Sequence, residues 1–178
     1  MKKDELFQLL RNSSIEEFNK ERPFGESELI DLTELDFREC ELKDADLSNC
    51  DLTNSDFSTM YLKNVKFDGS DLTSTDFTGS TFKNCAFPNA ILNGIKFSST
   101  VIQKSEFEEA DFSGADLSSA DLSESDLSTA KNLTECIFDA STIWPDEDML
   151  PDNFETGYQS DLSGLVDEDD DFASTLDY

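Results

Sequence analysis

Histidine is absent from the chain, and bases are scarce, with 13 Lys and Arg against 41 Asp and Glu. The first absence removes the commonest general base and the commonest metal ligand. The second leaves a formal net charge of −28 at pH 7, which repels nucleic-acid phosphates and anionic membrane surfaces and argues against both as direct ligands. No apolar run approaches the ~18–20 residues of a transmembrane helix. The opening segment, MKKDELFQLLRNSS, contains acids and lacks a small-residue cleavage site, so it does not read as a signal peptide. A soluble, cytoplasmic protein is expected. Ser-His, Cys-His and P-loop arrangements are also missing. Carboxylate pairs are too common for any to be diagnostic of acid–base work. An enzyme is therefore not expected, and no cofactor is implied.

What the chain does have is a period of five. In EEADFSGADLSSADLSESDLS the apolar residues are Phe112, Leu117, Leu122 and Leu127. A helix asks for one every 3.6 residues and a half-buried strand for one every 2. Stepping by five from Leu32 to Leu127 lands on Leu, Phe or Ile at every step. Two residues before this row runs a second one of mostly small residues, among them Cys40, Ala45, Cys50, Ser55, Val65, Ser70, Thr75, Cys85, Ala110, Ala115 and Ala120. Between the rows the residue is usually Asp, as at 36, 46, 51, 56, 71, 76, 111, 116, 121 and 126. The other two positions are largely Ser, Thr, Lys, Asn or Gly.

A chain that buries one large and one small residue in every five must turn a corner every five residues. Repeated corners wind it into a coil, and successive coils stack at the strand spacing of ~4.8 Å. The segments ADLSSADLSESDLS and DADLSNCDLTNSDF resemble the pentapeptide-repeat family, with its A(D/N)LXX consensus, over residues ~30–143. The resemblance implies an all-β solenoid, a right-handed quadrilateral β-helix with twenty residues per coil. Under that period Phe37, Phe57, Phe77 and Phe97 share one side, and Phe67, Phe87 and Phe107 share the opposite one.

Solenoids need caps. Residues 1–29 are expected to form a helical cap in which Leu6, Leu10, Ile15 and Phe18 cover the first coil, with Ser14 and Glu17 in capping-box spacing. The repeat then occupies residues 30–143. Its register slips by one near AKNL and resumes at Leu133, Phe138 and Ile143. Residues 144–158 read as a plug, with Trp144 and Phe154 closing the last coil. Residues 159–178 carry no base and a run of acids, and are expected to be a disordered acidic tail. Its apolar residues, Leu162, Leu165, Val166, Phe172, Leu176 and Tyr178, are a candidate linear motif, with a purely solubilising tail as the alternative.

Cys40, Cys50, Cys85 and Cys136 fall on the small inward row and read as packing residues. Cys40 and Cys50 belong to different sides, so a disulfide is not expected. The Asp residues recur at five rather than at the tighter spacing of a calcium loop, so no metal is expected. Stacked columns such as Asp36, Asp56 and Asp76 should repel one another.

Charge is uneven along the repeat: residues 30–59 carry −7, residues 60–104 carry +2 and residues 105–144 carry −9. In the middle, one side departs from the consensus. Tyr61, Thr81 and Val101 replace Asp in one column, and beside them run Lys43, Lys63, Lys83 and Gln103. We read Tyr61, Lys63, Thr81, Lys83, Val101 and Gln103 as a candidate face for a protein partner, with ordinary surface drift as the alternative. Some cyanobacterial members of the resembled family act as regulatory or assembly adaptors, and the resemblance implies a similar non-enzymatic interaction module here. Other members are gyrase-directed mimics of duplex DNA, so a DNA-mimicking modulator of a type II topoisomerase is the alternative. Residues 30–144 carry −14 over an estimated ~27 Å of rod. That is ~0.5 charge per Å, near the ~0.6 of duplex DNA. The basic middle and the capped ends count against that alternative.

Overall fold

The structure, a computed structural model, describes residues 2–23, 29–152 and 154–155. The expected tail, residues 159–178, with Leu162, Leu165, Val166, Phe172, Leu176 and Tyr178, lies outside the described residues, as do residues 24–28 and 156–158.

Pairing through the repeat keeps a constant offset. Asp36, Asp56, Asp76 and Lys96 bridge in parallel as one ladder, and Asp51, Asp71, Ile91 and Asp111 as another. Asp46, Lys66, Ala86 and Glu106 form a third. The longest strands lie in the fourth. There β3 (Tyr61–Lys63), β4 (Thr81–Lys83), β5 (Val101–Glu106) and β6 (Asp121–Asp126) make a four-stranded parallel sheet in that order. A separate short pair, β1 (Ile30–Asp31) and β2 (Cys50–Asp51), starts the second ladder. Partners through most of these ladders are twenty residues apart, so each coil is four pentapeptides with four sides, a quadrilateral β-helix.

The corners explain the two variable positions. At many corners the small residue's N–H donates to the carbonyl of the large residue three before it, as Ala45 does to Leu42 and Ser80 to Phe77, both at 3.0 Å. The second residue after the large one takes positive φ: 58° at Asn54, 63° at Gly69 and 53° at Asn84. A type II turn requires this at its third position. Asn and Gly recur there because they enter the left-handed region at least cost.

The Asp column has a matching task. Asp Oδ1 accepts the backbone N–H two residues on, at 2.9–3.1 Å, for Asp36, Asp46, Asp51, Asp56, Asp71, Asp76, Asp111, Asp116, Asp121 and Asp126. These are Asx turns, which satisfy a corner amide that points away from the ladder. The expected repulsion along Asp36, Asp56 and Asp76 is corrected by interleaved cations. Arg38 reaches Asp36 at 2.7 Å and Asp56 at 3.2 Å, and Lys96 reaches Asp76 at 3.2 Å.

Inside, the large row is fully enclosed from Leu32 to Leu127. Phe37, Phe57, Phe77 and Phe97 stack with centroids 4.2, 4.8 and 5.5 Å apart. Phe67, Phe87 and Phe107 stack at 4.8 Å, and the two stacks meet edge to face. The second row also holds Met60 and Ile95, both buried. Its hydroxyls tie coils together: Ser80 Oγ accepts the Met60 N–H at 3.0 Å and donates to the Phe57 carbonyl at 2.7 Å. Ser70 does the same between Cys50 and Leu47. A polar residue is thus tolerated in the core because both of its hydrogen-bonding capacities are used.

The N-terminal cap is two helices, α1 (Lys3–Arg11) and α2 (Ile15–Glu21). Leu6, Leu10 and Phe18 are buried and Ile15 is half-buried, while Phe7 adds an edge contact to Phe37 at 5.2 Å. The Ser14–Glu17 capping box does not form, because the Ser14 side chain caps nothing. The Ser14 N–H instead closes α1 onto the Leu9 carbonyl at 2.8 Å, which holds Ser14 at ψ 54°, short of an extended cap. Edge groups of the first coil are met by side chains. Asn19 donates to the Asp44 carbonyl at 3.0 Å and accepts the Asp46 N–H at 2.8 Å, and buried Arg22 donates to the Asp46 carbonyl at 2.8 Å and pairs with the Asp46 carboxylate.

At the C-terminal end the register slips twice, not once. Asp116 bridges Ile137 and Asp121 bridges Ile143, offsets of one and then two residues beyond the usual twenty. The second slip corrects the expected inward place of Ile143. It pairs as an outer residue and is 52% exposed, and Trp144 takes the large position behind it. Trp144 packs on Phe138 at 5.3 Å and Phe154 at 4.9 Å, so the plug is three rings rather than two.

Candidate protein-docking face

Every residue of the proposed face lies on the outer surface of the β3–β4–β5 sheet. Tyr61 pairs with Thr81 and Thr81 with Val101, and Lys63 pairs with Lys83 and Lys83 with Gln103. Between the columns, Leu62, Phe82 and Ile102 point inward and are buried. This side therefore holds its outer residues on a rigid backing. Tyr61 is 60% exposed, and the other five are half-buried.

A corner column borders the lysines, and its role was not read from the sequence. Asn64 donates to Asp44 at 2.7 Å, Asn84 donates to Asn64 at 3.2 Å, and Lys104 stands next at φ 51°. The signal was available as Asp44, Asn64, Asn84 and Lys104 at intervals of twenty. Lys66 lies on the adjoining side, between Asp46 and Ala86. Among the described residues, Lys63, Lys66, Lys83 and Lys104 make no ion pair with a described carboxylate, unlike Lys3, Arg38, Lys96 and Lys131. Lys43 touches Asp44 at 3.7 Å. Acids bound the patch. Glu41, Glu16 and Glu17 line a groove of about 520 Å³ at its N-terminal end, and Asp121 and Glu124 continue the sheet register at the other.

Lys63 and Lys83 are directly paired across two strands. Two like charges ~5 Å apart in water repel by about 1 kcal/mol. The pair costs stability and carries no described counter-charge, so a carboxylate approaching from outside is attracted to it.

The cysteines offer no chemistry. Burial pushes the Cys50 and Cys136 thiols up to about 12 and those of Cys40 and Cys85 up to about 11, which keeps them protonated and unreactive. All four are free. Among the described residues, no group of three His, Cys, Asp or Glu side chains is placed to hold a metal, and no helix is long and apolar enough to cross a membrane.

Comparison with known proteins agrees with this architecture. A model of pentapeptide repeat regions matches residues 61–143, and a model of pentapeptide repeats (8 copies) matches residues 30–58. Among solved structures, HetL of the cyanobacterium Nostoc sp. strain PCC 7120, a pentapeptide repeat protein involved in heterocyst differentiation regulation, is 26% identical with a TM-score of 0.57. The match covers 60% of this chain and half of HetL. A pentapeptide repeat protein of the Arabidopsis thaliana thylakoid lumen is 25% identical with a TM-score of 0.49, covering 51% of this chain and 63% of that one. QnrB1, a plasmid-mediated fluoroquinolone resistance protein, is 19% identical with a TM-score of 0.44, covering 63% of this chain and 59% of that one. No curated protein matches the chain.

Proposed function

Because this chain belongs to the pentapeptide-repeat family, we propose that it works as a non-enzymatic interaction module, a rigid acidic β-helix that serves as a regulatory or assembly adaptor through the β3–β4–β5 face. The observation that carries the reading is the grouping of exposed Tyr61 with the Lys63 and Lys83 pair on one flat sheet, inside a molecule of net charge −28. An aromatic anchor beside cations that lack described partners has the chemistry of a binding hot spot. The regulatory role of HetL, named for that protein, supports the adaptor reading at the level of the family. The thiols held protonated by burial and the absence of histidine support a non-enzymatic role.

The test is recovery of a protein partner by the immobilised full chain and by a Tyr61→Ala/Lys63→Ala/Lys83→Ala variant. The variant is expected to lose the partner while staying folded, with a melting temperature no lower than that of the unsubstituted chain, and equal recovery removes this face. The topoisomerase alternative rests on the rod's average charge density. It needs acid along the whole rod, whereas residues 60–104 carry +2. A gyrase supercoiling assay separates the two, since only a DNA mimic inhibits it at excess protein.

A further inference from the structure

The face has a counterpart within the same chain. Residues 156–178 contain seven acids and no base, five of the acids consecutive from Asp167 to Asp171, and this run is bordered by Leu165, Val166 and Phe172. The β3–β4–β5 face presents the complement, with Lys63, Lys83 and Lys104 in adjoining columns and Tyr61 and Val101 beside them. We propose that the acidic segment centred on Asp167–Asp171 docks in cis on this face and occupies it until a protein partner displaces it. The inference rests on reading the face as a docking surface, and it names the first occupant.

Three observations support the fit. The lysines have no ion pair to a described residue, while the Asp side chains of the repeat are already engaged by corner amides. Reach is ample. The last described residue is Glu155, so twelve steps lead to Asp167, a span of up to ~40 Å when extended. Lys83 sits three coils from the final one, ~15 Å along the axis at the strand spacing. A tether of that length holds the segment at roughly millimolar effective concentration, so individually weak contacts suffice. The same two features, a string of carboxylates with apolar borders, are also what an outside competitor would have to present.

The test is zero-length carbodiimide cross-linking of the full chain, mapped by peptide mass spectrometry. Isopeptide bonds from Lys63, Lys83 or Lys104 to Asp167–Asp171 are expected at roughly fivefold the yield seen at Lys3, which pairs with Asp31 on the ladder opposite this sheet. They are expected to fade at about 0.5 M salt, where surface attraction is screened. Mixing isotopically heavy and light chains should give links within one chain only. Even yields over all lysines, or links between heavy and light chains, overturn cis docking. A second variant, with Asp167, Asp169, Asp170 and Asp171 changed to Asn and Glu168 to Gln, leaves the rod untouched and is expected to recover severalfold more partner. Unchanged recovery by it overturns the occupancy while leaving the face intact. Failure of the face itself shows instead as unchanged recovery by the Tyr61→Ala/Lys63→Ala/Lys83→Ala variant.

Discussion

Phe77→Ala is the substitution that tests the interior most severely. The Phe77 ring is fully enclosed and meets four others: Phe57 at 4.8 Å, Phe82 at 5.1 Å, Phe97 at 5.5 Å and Phe67 at 5.9 Å. Truncating an enclosed Phe costs about 3–5 kcal/mol through lost transfer energy and the cavity left behind. Each aromatic pair adds ~0.5–1.5 kcal/mol beyond its buried area, so the upper part of that range is expected. Phe77→Leu fills most of the cavity but loses the ring pairs, and should cost about 1–3 kcal/mol, less than the Ala variant. Urea unfolding followed by circular dichroism gives the values. Trp144 fluorescence supplies a second probe three coils away, in the C-terminal plug. In a solenoid each coil contacts only its neighbours. Coincident transitions therefore mean that the rod unfolds as one unit, and separated ones mean that it divides at the cavity. A loss below about 1 kcal/mol for the Ala variant refutes the enclosed core.

Further predictions follow from the corners and the charges. Ser80→Ala leaves the buried Met60 N–H without its acceptor and should cost about 1–3 kcal/mol in the same urea assay. Gly69→Ala places a Cβ 3.0 Å from Asn49 Oδ1 at φ +63° and should cost about 1–2 kcal/mol. Arg38's side chain and then its own N–H hold the Asp36 carboxyl at about 2, and the Ser128 hydroxyl lowers Asp126. A carboxylate depressed by folding stabilises above its unfolded value near 3.9 and loses that contribution as pH falls through the folded one. The melting temperature should therefore hold between pH 7 and pH 5 and drop between about pH 4 and pH 2. Moderate salt should raise it, since the net charge is −28 and pairs such as Asp51–Asp71 and Lys63–Lys83 face like charge. A fall on going from low to physiological salt contradicts that.

The period of five made the winding legible, and the period of twenty placed the two phenylalanine stacks and the Tyr61, Lys63 and Lys83 columns before any coordinates. What stayed hidden had two physical sources. Corner chemistry leaves a weak trace in sequence. The Asp column looked like surface charge because its hydrogen bonds go to backbone two residues on, and the asparagines at 54, 64 and 84 looked like ordinary polar surface, although their positive φ places them at turn positions. At the C-terminal end two apolar residues, Ile143 and Trp144, stand side by side. Only the bridge from Asp121 to Ile143 decides that the Trp faces inward. The Ser14–Glu17 spacing fails for a related reason, because the Ser14 amide is taken by the preceding helix.

The claim that function resides on one side of the rod is tested most directly by reversing charge one side at a time and measuring affinity for the recovered partner. The sets are Lys63→Glu with Lys83→Glu, Lys66→Glu with Glu106→Lys, Asp51→Lys with Asp71→Lys, and Asp56→Lys with Lys96→Glu. A loss of roughly tenfold or more confined to the first set is the predicted result. Opposite changes in the first and third sets, with none in the charge-neutral second and fourth, would show that the partner reads overall charge, and similar losses on all four would show that it does not distinguish the sides; either result contradicts the account.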